Sequence, residues 1–420
     1  MLELLQRLMA SPFWMRALGR LSASLRLWHP DVRRDPYPTY GWFRERRAVR
    51  MRLFGGLAVA RYADVERVLR EPEFSTNRDE IALMKAARRS ARGAPDFEAL
   101  IDNNLLTIDG EKHRRLRGLV SKAFTPRRVE SLRRGAEAIV SDLVERMAKH
   151  GEVDLVAELA QPFPGLVIAE LLGVPAADQP RFRAWSNDLA ELLDPLSGHE
   201  GLAPPKRAMT ELGAYLRELV AARRREPRAD LLTAMSEAEE DGESLSEAEL
   251  VALASLLLVA GNETTTSLIG NAVLLFLRHP EERKRVQDDP SLLPSAVEEC
   301  LRFEPPVQFT DRAVVAPVEL AGVSLRPGTI VAALIAAANR DPAQFPEPDR
   351  FDVGRRENRH LSFGLGSHFC LGSSLARMEA QVALGALLRR FPDFSGPPEP
   401  PAWKGSVVLR GPASLPIRLR

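Results

Sequence analysis

From about Asp64 to Arg285 the apolar residues recur at helical spacing, and strand-like runs appear only toward the two ends of the chain. Those runs fall at Val49 to Ala60, Ala313 to Val315, Val318 to Leu320 and Thr329 to Ala332, and the tail Ser406 to Arg420 again reads as strands. The pattern predicts a mainly α protein with small β-sheets. One helix is marked at both ends. Ser246-Glu247-Ala248-Glu249 supplies the serine and glutamate of a capping box. Leu250 to Gly261 then carries no charge, and the periodicity holds to Arg278, where His279-Pro280 stops it. About 32 residues at about 1.5 Å each give a helix of about 48 Å, enough to cross a whole domain. Its uncharged stretch is too short to span a membrane and suits a buried core helix.

Two segments look irregular. Asn77 to Asn104 holds mixed charge, Gly93 and Pro95, and Asp194 to Lys206 holds three prolines and two glycines. Both read as mobile connections of the kind that carries recognition, although a plain surface loop has the same composition. The charged run Arg223 to Gly242 reads as a solvated loop followed by a helix start. No repeat and no long Gly/Ser linker divides the chain, so residues 35–420 read as a single domain behind an N-terminal lead-in, residues 1–34. Glu3, Arg7, Arg16 and Arg20 interrupt that lead-in and Pro12 breaks it, so it is neither a membrane anchor nor a signal core. With 58 basic and 57 acidic residues the net charge is +1, which gives no global case for nucleic acid or an acidic membrane. The two cysteines, Cys300 and Cys370, exclude a disulfide scaffold and fit a reducing cytoplasm. On composition alone either could carry chemistry.

Four motifs carry candidate chemistry. Ala260-Gly261-Asn262-Glu263-Thr264-Thr265 puts polar groups directly after the dry helical run, where a glycine and a carboxylate both cost stability. Small residues at 260 and 261 let something flat lie against the helix, and the Thr264 hydroxyl can bond the carbonyl one turn back and loosen it. A polar patch facing a neighbouring helix would look the same. Glu299-Cys300-Leu301-Arg302 places an acid and an arginine at i, i+3 on one helix face. Phe363-Gly364-Leu365-Gly366-Ser367-His368-Phe369-Cys370-Leu371-Gly372 sets a cysteine after a glycine turn and just before a helical pattern. A thiolate there is favoured by the helix N-terminus and by nearby backbone N–H groups, and such a ligand suits haem iron. Finally His113 and Arg117 share a face at i, i+4, a cation pair suited to two carboxylates.

In their order and spacing these motifs resemble the soluble bacterial branch of the cytochrome P-450 family, over roughly Asp35 to the C-terminus. The F-G-x-G-x-H-x-C-x-G segment is the specific element, and A-G-x-E-T and E-x-x-R precede it in the expected order. The resemblance implies the cytochrome P-450 fold: a triangular single-domain prism holding haem between the long central helix and the cysteine-loop helix. It implies heme b (iron protoporphyrin IX), with Cys370 as the axial ligand and only metal ligand, and dioxygen as co-substrate. His113, Arg117, Arg312 and His368 match the residues that bond the propionates. Ala260, Gly261, Phe363 and Gly372 match positions lining the haem, Phe363 beside the sulfur. Glu263 and Thr264 match the acid–alcohol pair that handles protons. Glu299, Arg302 and Arg355 match a structural ion-pair triad, which leaves Cys300 to packing. By position, the Asn77–Asn104 segment, Leu257, Ala260, Val307 to Phe309 and Val407-Val408 contact substrate.

The activity implied is a cytoplasmic, monomeric monooxygenase that hydroxylates or epoxidises an apolar small molecule such as a fatty acid, terpene, steroid or polyketide. No flavin or ferredoxin domain is apparent, so electrons are expected from a separate ferredoxin and an NAD(P)H-dependent ferredoxin reductase. Arg114, Arg115, Arg356 and Arg377 form a candidate docking patch for the ferredoxin. The alternatives are a peroxide-driven or isomerising haem-thiolate enzyme, or a non-catalytic haem-binding protein. The Glu263–Thr264 pair inside a dry helix argues against the peroxide-driven and non-catalytic readings.

Overall fold

A computed structural model describes residues 26–27, 29–51, 56–77, 85, 88–89, 91–190, 192, 203–240, 242–397 and 401–420. In chain order the longer helices are α1 (Tyr37–Glu45), α2 (Tyr62–Arg70), α3 (Pro95–Asp102), α4 (Gly110–Ala123), α5 (Arg133–Met147), α6 (Pro162–Leu171), α7 (Gln179–Ala190), α8 (Ala203–Arg225), α9 (Leu231–Glu237), α10 (Glu247–Arg278), α11 (Pro280–Asp288), α12 (Leu293–Phe303) and α13 (Ser373–Arg390). The strands are β1 (Ala48–Met51), β2 (Gly56–Val59), β3 (Phe74–Ser75), β4 (Glu152–Asp154), β5 (Glu239–Glu240), β6 (Glu243–Ser244), β7 (Thr310–Val314), β8 (Val318–Leu320), β9 (Val323–Leu325), β10 (Ile330–Ala333), β11 (Phe394–Ser395) and β12 (Pro416–Leu419). The chain divides into two compact units. The first takes in Met1–Thr76, Leu274–Phe369 and Pro397–Leu415; the second takes in Asn77–Val273, Cys370–Gly396 and Pro416–Arg420.

The first unit is built on a five-stranded sheet of order β1-β2-β10-β7-β3, in which β10 runs parallel to β2 and the other pairs are antiparallel. Its middle strands are apolar on both faces, as strands covered from both sides must be. Leu57, Val59, Val331 and Ala333 pack on Val65, Val68 and Leu69 of α2, which recur at i, i+3, i+4. The alternate residues Ala58 and Ala332 face Tyr40 and Phe43 of α1. α12 follows, with Ala296, Val297, Cys300 and Leu301 buried.

The second unit is helical, with α5 packed on α6 and α13, α7 packed on α8, and a small sheet of order β11-β12-β4. Most of α10 belongs to it. The capping box forms as its sequence requires: Glu249 N–H donates to Ser246 Oγ at 3.3 Å and Ser246 N–H donates to Glu249 Oε2 at 2.9 Å. The helix runs 32 residues, and Leu250 to Ala254 are fully buried.

Several local expectations are corrected. The Asn77–Asn104 segment is not irregular throughout, because α3 occupies Pro95–Asp102. Pro95 sits in the first turn, where its missing N–H costs nothing, and Phe97 and Leu100 are buried at i, i+3. Residues 78–84, 86–87 and 90 of that segment, and 194–202 of the second one, lie outside the described residues. Pro204 and Pro205 likewise fall in the first turn of α8 rather than in a loop. Arg223 to Gly242 is not a solvated loop: Arg223 is 5% exposed and pairs with the buried Asp230, whose side chain caps α9 by accepting from Thr233 N–H at 2.8 Å. Of the charges there, Arg223 and Asp230 are buried against each other, while Arg224, Arg225, Glu226 and Arg228 stay exposed. In the tail only Pro416–Leu419 is a strand, joined by isolated bridges Val307–Leu409 and Trp403–Pro412. The lead-in falls mostly on residues 1–25, outside the described residues.

Candidate functional site

Within the second unit, Cys370 lies just before α13, whose N-cap is Gly372. The Gly372 N–H bonds the sulfur, and the guanidinium groups of Arg117 and Arg377 lie close enough to favour a negative charge on it. Burial still pushes the thiol up, against the pull of that N–H and those two arginines. The helix-terminal setting is as expected, but for the thiol by itself desolvation wins. Arg377, expected in a docking patch, is thus a neighbour of the cysteine. Arg117 stands half-buried on α4, one turn after the buried His113. Burial lowers its pKa and the charge on Cys370 raises it, burial being the larger effect. Arg115 is corrected: it pairs with Glu249 and, at 3.3 Å, with Glu243. It therefore does not stand free for a partner.

α10 presents a stripe that is only half-buried, formed by Leu257, Ala260, Gly261 and Thr264, with Glu263 at its edge. The spacing i, i+3, i+4, i+7 puts the first four on one face. Thr264 Oγ1 donates to the Ala260 carbonyl at 2.7 Å, and the helix stays α-helical through that bond rather than opening. Gly261 lets α6 come close: a Cβ there would meet the terminal Cδ1 of Ile168 at 2.9 Å, and the Ile168 side chain would have to give way to it. Glu263 is half-buried rather than buried. Sequence reasoning missed Glu379, a fully buried acid on α13 that bonds Thr265 and whose pKa burial pushes well up. The available signal was a lone carboxylate between Met378 and Ala380 on an apolar helix face.

Within the first unit, Gly364 and Gly366 adopt φ of +68° and +69°, the left-handed turn that the motif predicts. They shape the loop carrying Phe363 and His368. Phe363 packs near the rings of His360 and Phe369, and His368 Nε2 lies 3.3 Å from Thr76 Oγ1. Arg312 is buried on β7, donating to Thr310 Oγ1 and to the Asp311 carbonyl. Glu299 and Arg302 form a two-pronged ion pair with both distances 2.7 Å and both side chains 0% exposed. Arg355 Nε completes it at 3.2 Å from Glu299. Cys300 is buried beside Glu299 and its thiol is pushed well up by burial, so it serves packing.

Of the residues singled out from the sequence, Arg312, Phe363 and His368 lie in the first unit, and His113, Arg117, Ala260, Gly261, Glu263, Thr264, Cys370 and Gly372 in the second. The family model described as cytochrome P450 matches residues 80–414. The chain is 41% identical over 400 residues to the cytochrome P450 monooxygenase PikC of Streptomyces venezuelae, covering 93% of this chain and 92% of that protein. It is 45% identical over 369 residues to the mycinamicin IV hydroxylase/epoxidase of Micromonospora griseorubida, covering 86% and 88%. The solved structure of PksS, a cytochrome P450 of the bacillaene polyketide synthase of Bacillus subtilis 168, aligns with a TM-score of 0.83 at 34% identity, covering 93% and 98%. This chain belongs to the cytochrome P450 family, in its bacterial branch. It is accordingly an oxidoreductase of the monooxygenase type with the fold of that family, whose members bind haem through a cysteine thiolate, use dioxygen and draw on redox partners.

Proposed function

We propose that Cys370 is the axial thiolate of a heme b and that residues 35–420 act as one catalytic domain on a polyketide-derived, macrolide-like substrate. The observation that carries the cofactor reading is the donor set at the sulfur: a backbone N–H from Gly372 and two arginines, Arg117 and Arg377, around a single soft ligand. The residues present fit the group. The stripe of Ala260 and Gly261 accepts a flat ring, and His113, Arg117, Arg312 and His368 supply cations or donors for two propionates. The Gly372 N–H steadies the sulfur, and Phe363 is the aromatic that the family resemblance expects beside it.

When bound, the haem supplies dioxygen activation, sending one oxygen atom to substrate and the other to water. The chain's own contribution is proton management and exclusion of water. The Glu263 carboxylate collects a proton from solvent and passes it to Thr264. The Thr264 hydroxyl, parked on the Ala260 carbonyl, turns to donate it. Val307, Phe309 and Val407 of the first unit, and Leu257 of the second, are the apolar side chains read as orienting substrate. The substrate class rests on the mycinamicin IV hydroxylase/epoxidase and on the cytochrome P450 of the bacillaene polyketide synthase. Electrons come from a separate ferredoxin and an NAD(P)H-dependent reductase, and the enzyme works as a cytoplasmic monomer.

The test is a reduced carbon monoxide difference spectrum followed by turnover. Wild type should show the band of thiolate ligation, and Cys370→Ser should lose it. Hydroxylated macrolactone should form with ferredoxin, reductase and NADPH. Histidine-type ligation in fresh protein would overturn the cofactor reading, and turnover equal with peroxide alone would overturn the electron-transfer reading.

A further inference from the structure

The first unit contains a buried charged cluster that the activity does not use. The chain leaves α12 at Glu304 and runs through Pro305 to Phe309, and it returns near the C-terminus through Ser406 to Arg410. These stretches pair antiparallel: Gln308 N–H donates to the Val408 carbonyl at 2.8 Å, Arg410 N–H donates to the Pro306 carbonyl at 2.7 Å, and Val307 bridges Leu409. A ladder this short does not hold its own alignment. A slip of one residue would turn every side chain to the opposite face.

Glu304 and Arg410 stand where the two stretches end. Their side chains are 4% and 8% exposed, and Arg410 Nε donates to Glu304 Oε1 at 2.6 Å. The remaining arms of the guanidinium donate to the carbonyls of Arg33 at 2.5 Å and Arg34 at 3.3 Å. Its flat face lies on the Trp403 ring, 3.5 Å from the centroid. The Tyr37 hydroxyl donates to the Phe303 carbonyl at 2.6 Å and lies 3.1 Å from Glu304 Oε1, fixing the carboxylate from the other side. Beyond the ladder, Gln308 is tied down by Tyr40, whose hydroxyl donates to Gln308 Oε1 at 2.9 Å. A planar fork with every arm committed admits one geometry, which a lysine cannot reproduce.

We propose that Glu304 and Arg410 are positioning residues for substrate selection: their buried ion pair, clamped by Trp403 and the backbone of Arg33 and Arg34, pins the register of Pro306–Gln308 against Val408–Arg410. Val307 and Phe309 stand half-buried next to the inward-facing Gln308. The pin therefore decides which apolar side chains meet the substrate, without touching it. Fixing register is the best-attested use of a buried ion pair. The inference rests on the reading that Val307, Phe309 and Val407 face substrate.

Hydrogen exchange of the whole protein, read peptide by peptide, tests the pin. Ferric Soret titrations with dodecanoic acid and testosterone, two apolar probes of unlike shape, test its consequence. In Arg410→Lys the amides of Gln308 and Arg410 should exchange about tenfold faster or more, while those of β10 stay unchanged. The ratio of the two probe affinities should shift by about threefold or more, with the reduced carbon monoxide band retained. Trp403→Leu, which keeps the ion pair but loses the stack, should show the same changes at smaller size, and it carries the test if Arg410→Lys does not fold. Unchanged exchange in the folded variants overturns the pin. Faster exchange with an unchanged probe ratio overturns its role in selection. A wild-type protein lacking the thiolate band overturns the function reading instead, and the exchange measurement still judges the pin.

Discussion

Arg302→Leu is the substitution whose cost follows most directly from the structure. Arg302 donates to both oxygens of Glu299 and to the carbonyls of Asn339 at 3.0 Å, Pro348 at 2.8 Å and Arg350 at 3.1 Å. Removing one partner of a buried pair costs about 3–5 kcal/mol. The lower end applies, because Glu299 keeps Arg355, the Asp352 N–H at 3.0 Å and Asn358 Nδ2 at 3.1 Å. Three carbonyls lose a donor at about 1 kcal/mol each. The sum, about 6 kcal/mol, is comparable to the whole stability of many proteins, about 5–15 kcal/mol. At a slope of about 3 kcal/mol per molar the urea midpoint falls by about 2 M, measured by far-ultraviolet circular dichroism. Arg355→Lys, at the edge of the same cluster, should cost only about 1 kcal/mol. If Arg302→Leu moves the midpoint no more than Arg355→Lys does, the buried pair does not organise this region.

Other outcomes follow from the second unit. Thr264→Ala should leave the melting temperature nearly unchanged, since a bond back to the Ala260 carbonyl adds little, yet divert NADPH toward peroxide; peroxide and product assayed together decide it. Glu379 has a folded pKa raised by burial despite its bond from Thr265, so its contribution to stability is full below the ordinary carboxylate pKa and declines as pH rises. The decline is about 1.4 kcal/mol per pH unit until the folded group ionises, so Glu379→Gln should gain stability over wild type as pH goes from 5 to 8 in urea titrations, as a single acid with a folded pKa above its unfolded value requires. Gly261→Ala should gain about 1 kcal/mol of helix propensity and lose a similar amount against Ile168, whose Cδ1 would sit 2.9 Å from the new Cβ. Combining it with Ile168→Val should recover the gain, as read by thermal melting.

The long helix was legible because its start and stop carry chemistry of their own, Ser246 with Glu249 at one end and Pro280 at the other. The Glu299–Arg302 pair was legible because helical spacing alone brings i and i+3 together. What stayed hidden depends on partners distant in sequence. Pro95 and Pro204 looked like breakers because a proline in the first turn cannot be told from one in a loop without knowing what the next residues bury. Arg115 looked like surface charge because Glu249 lies 134 residues away. Glu379 and Arg410 carry no local motif. Their meaning lies in Thr265 and Glu304, which only the fold brings near.

The order of strands in the first unit has a consequence for synthesis. β2 pairs with β10, Gly56 opposite Ile330, so the apolar Leu57 to Val59 wait for a partner made about 270 residues later. At about 5–20 residues per second that wait is roughly 15–55 s on the ribosome. Throughout it the β1–β2 hairpin presents an unpaired edge able to capture other nascent chains. The gap between first and last strand thus makes the early hairpin a client for chaperones, and slower translation between residues 60 and 330 should cost soluble yield more than slower translation after 333.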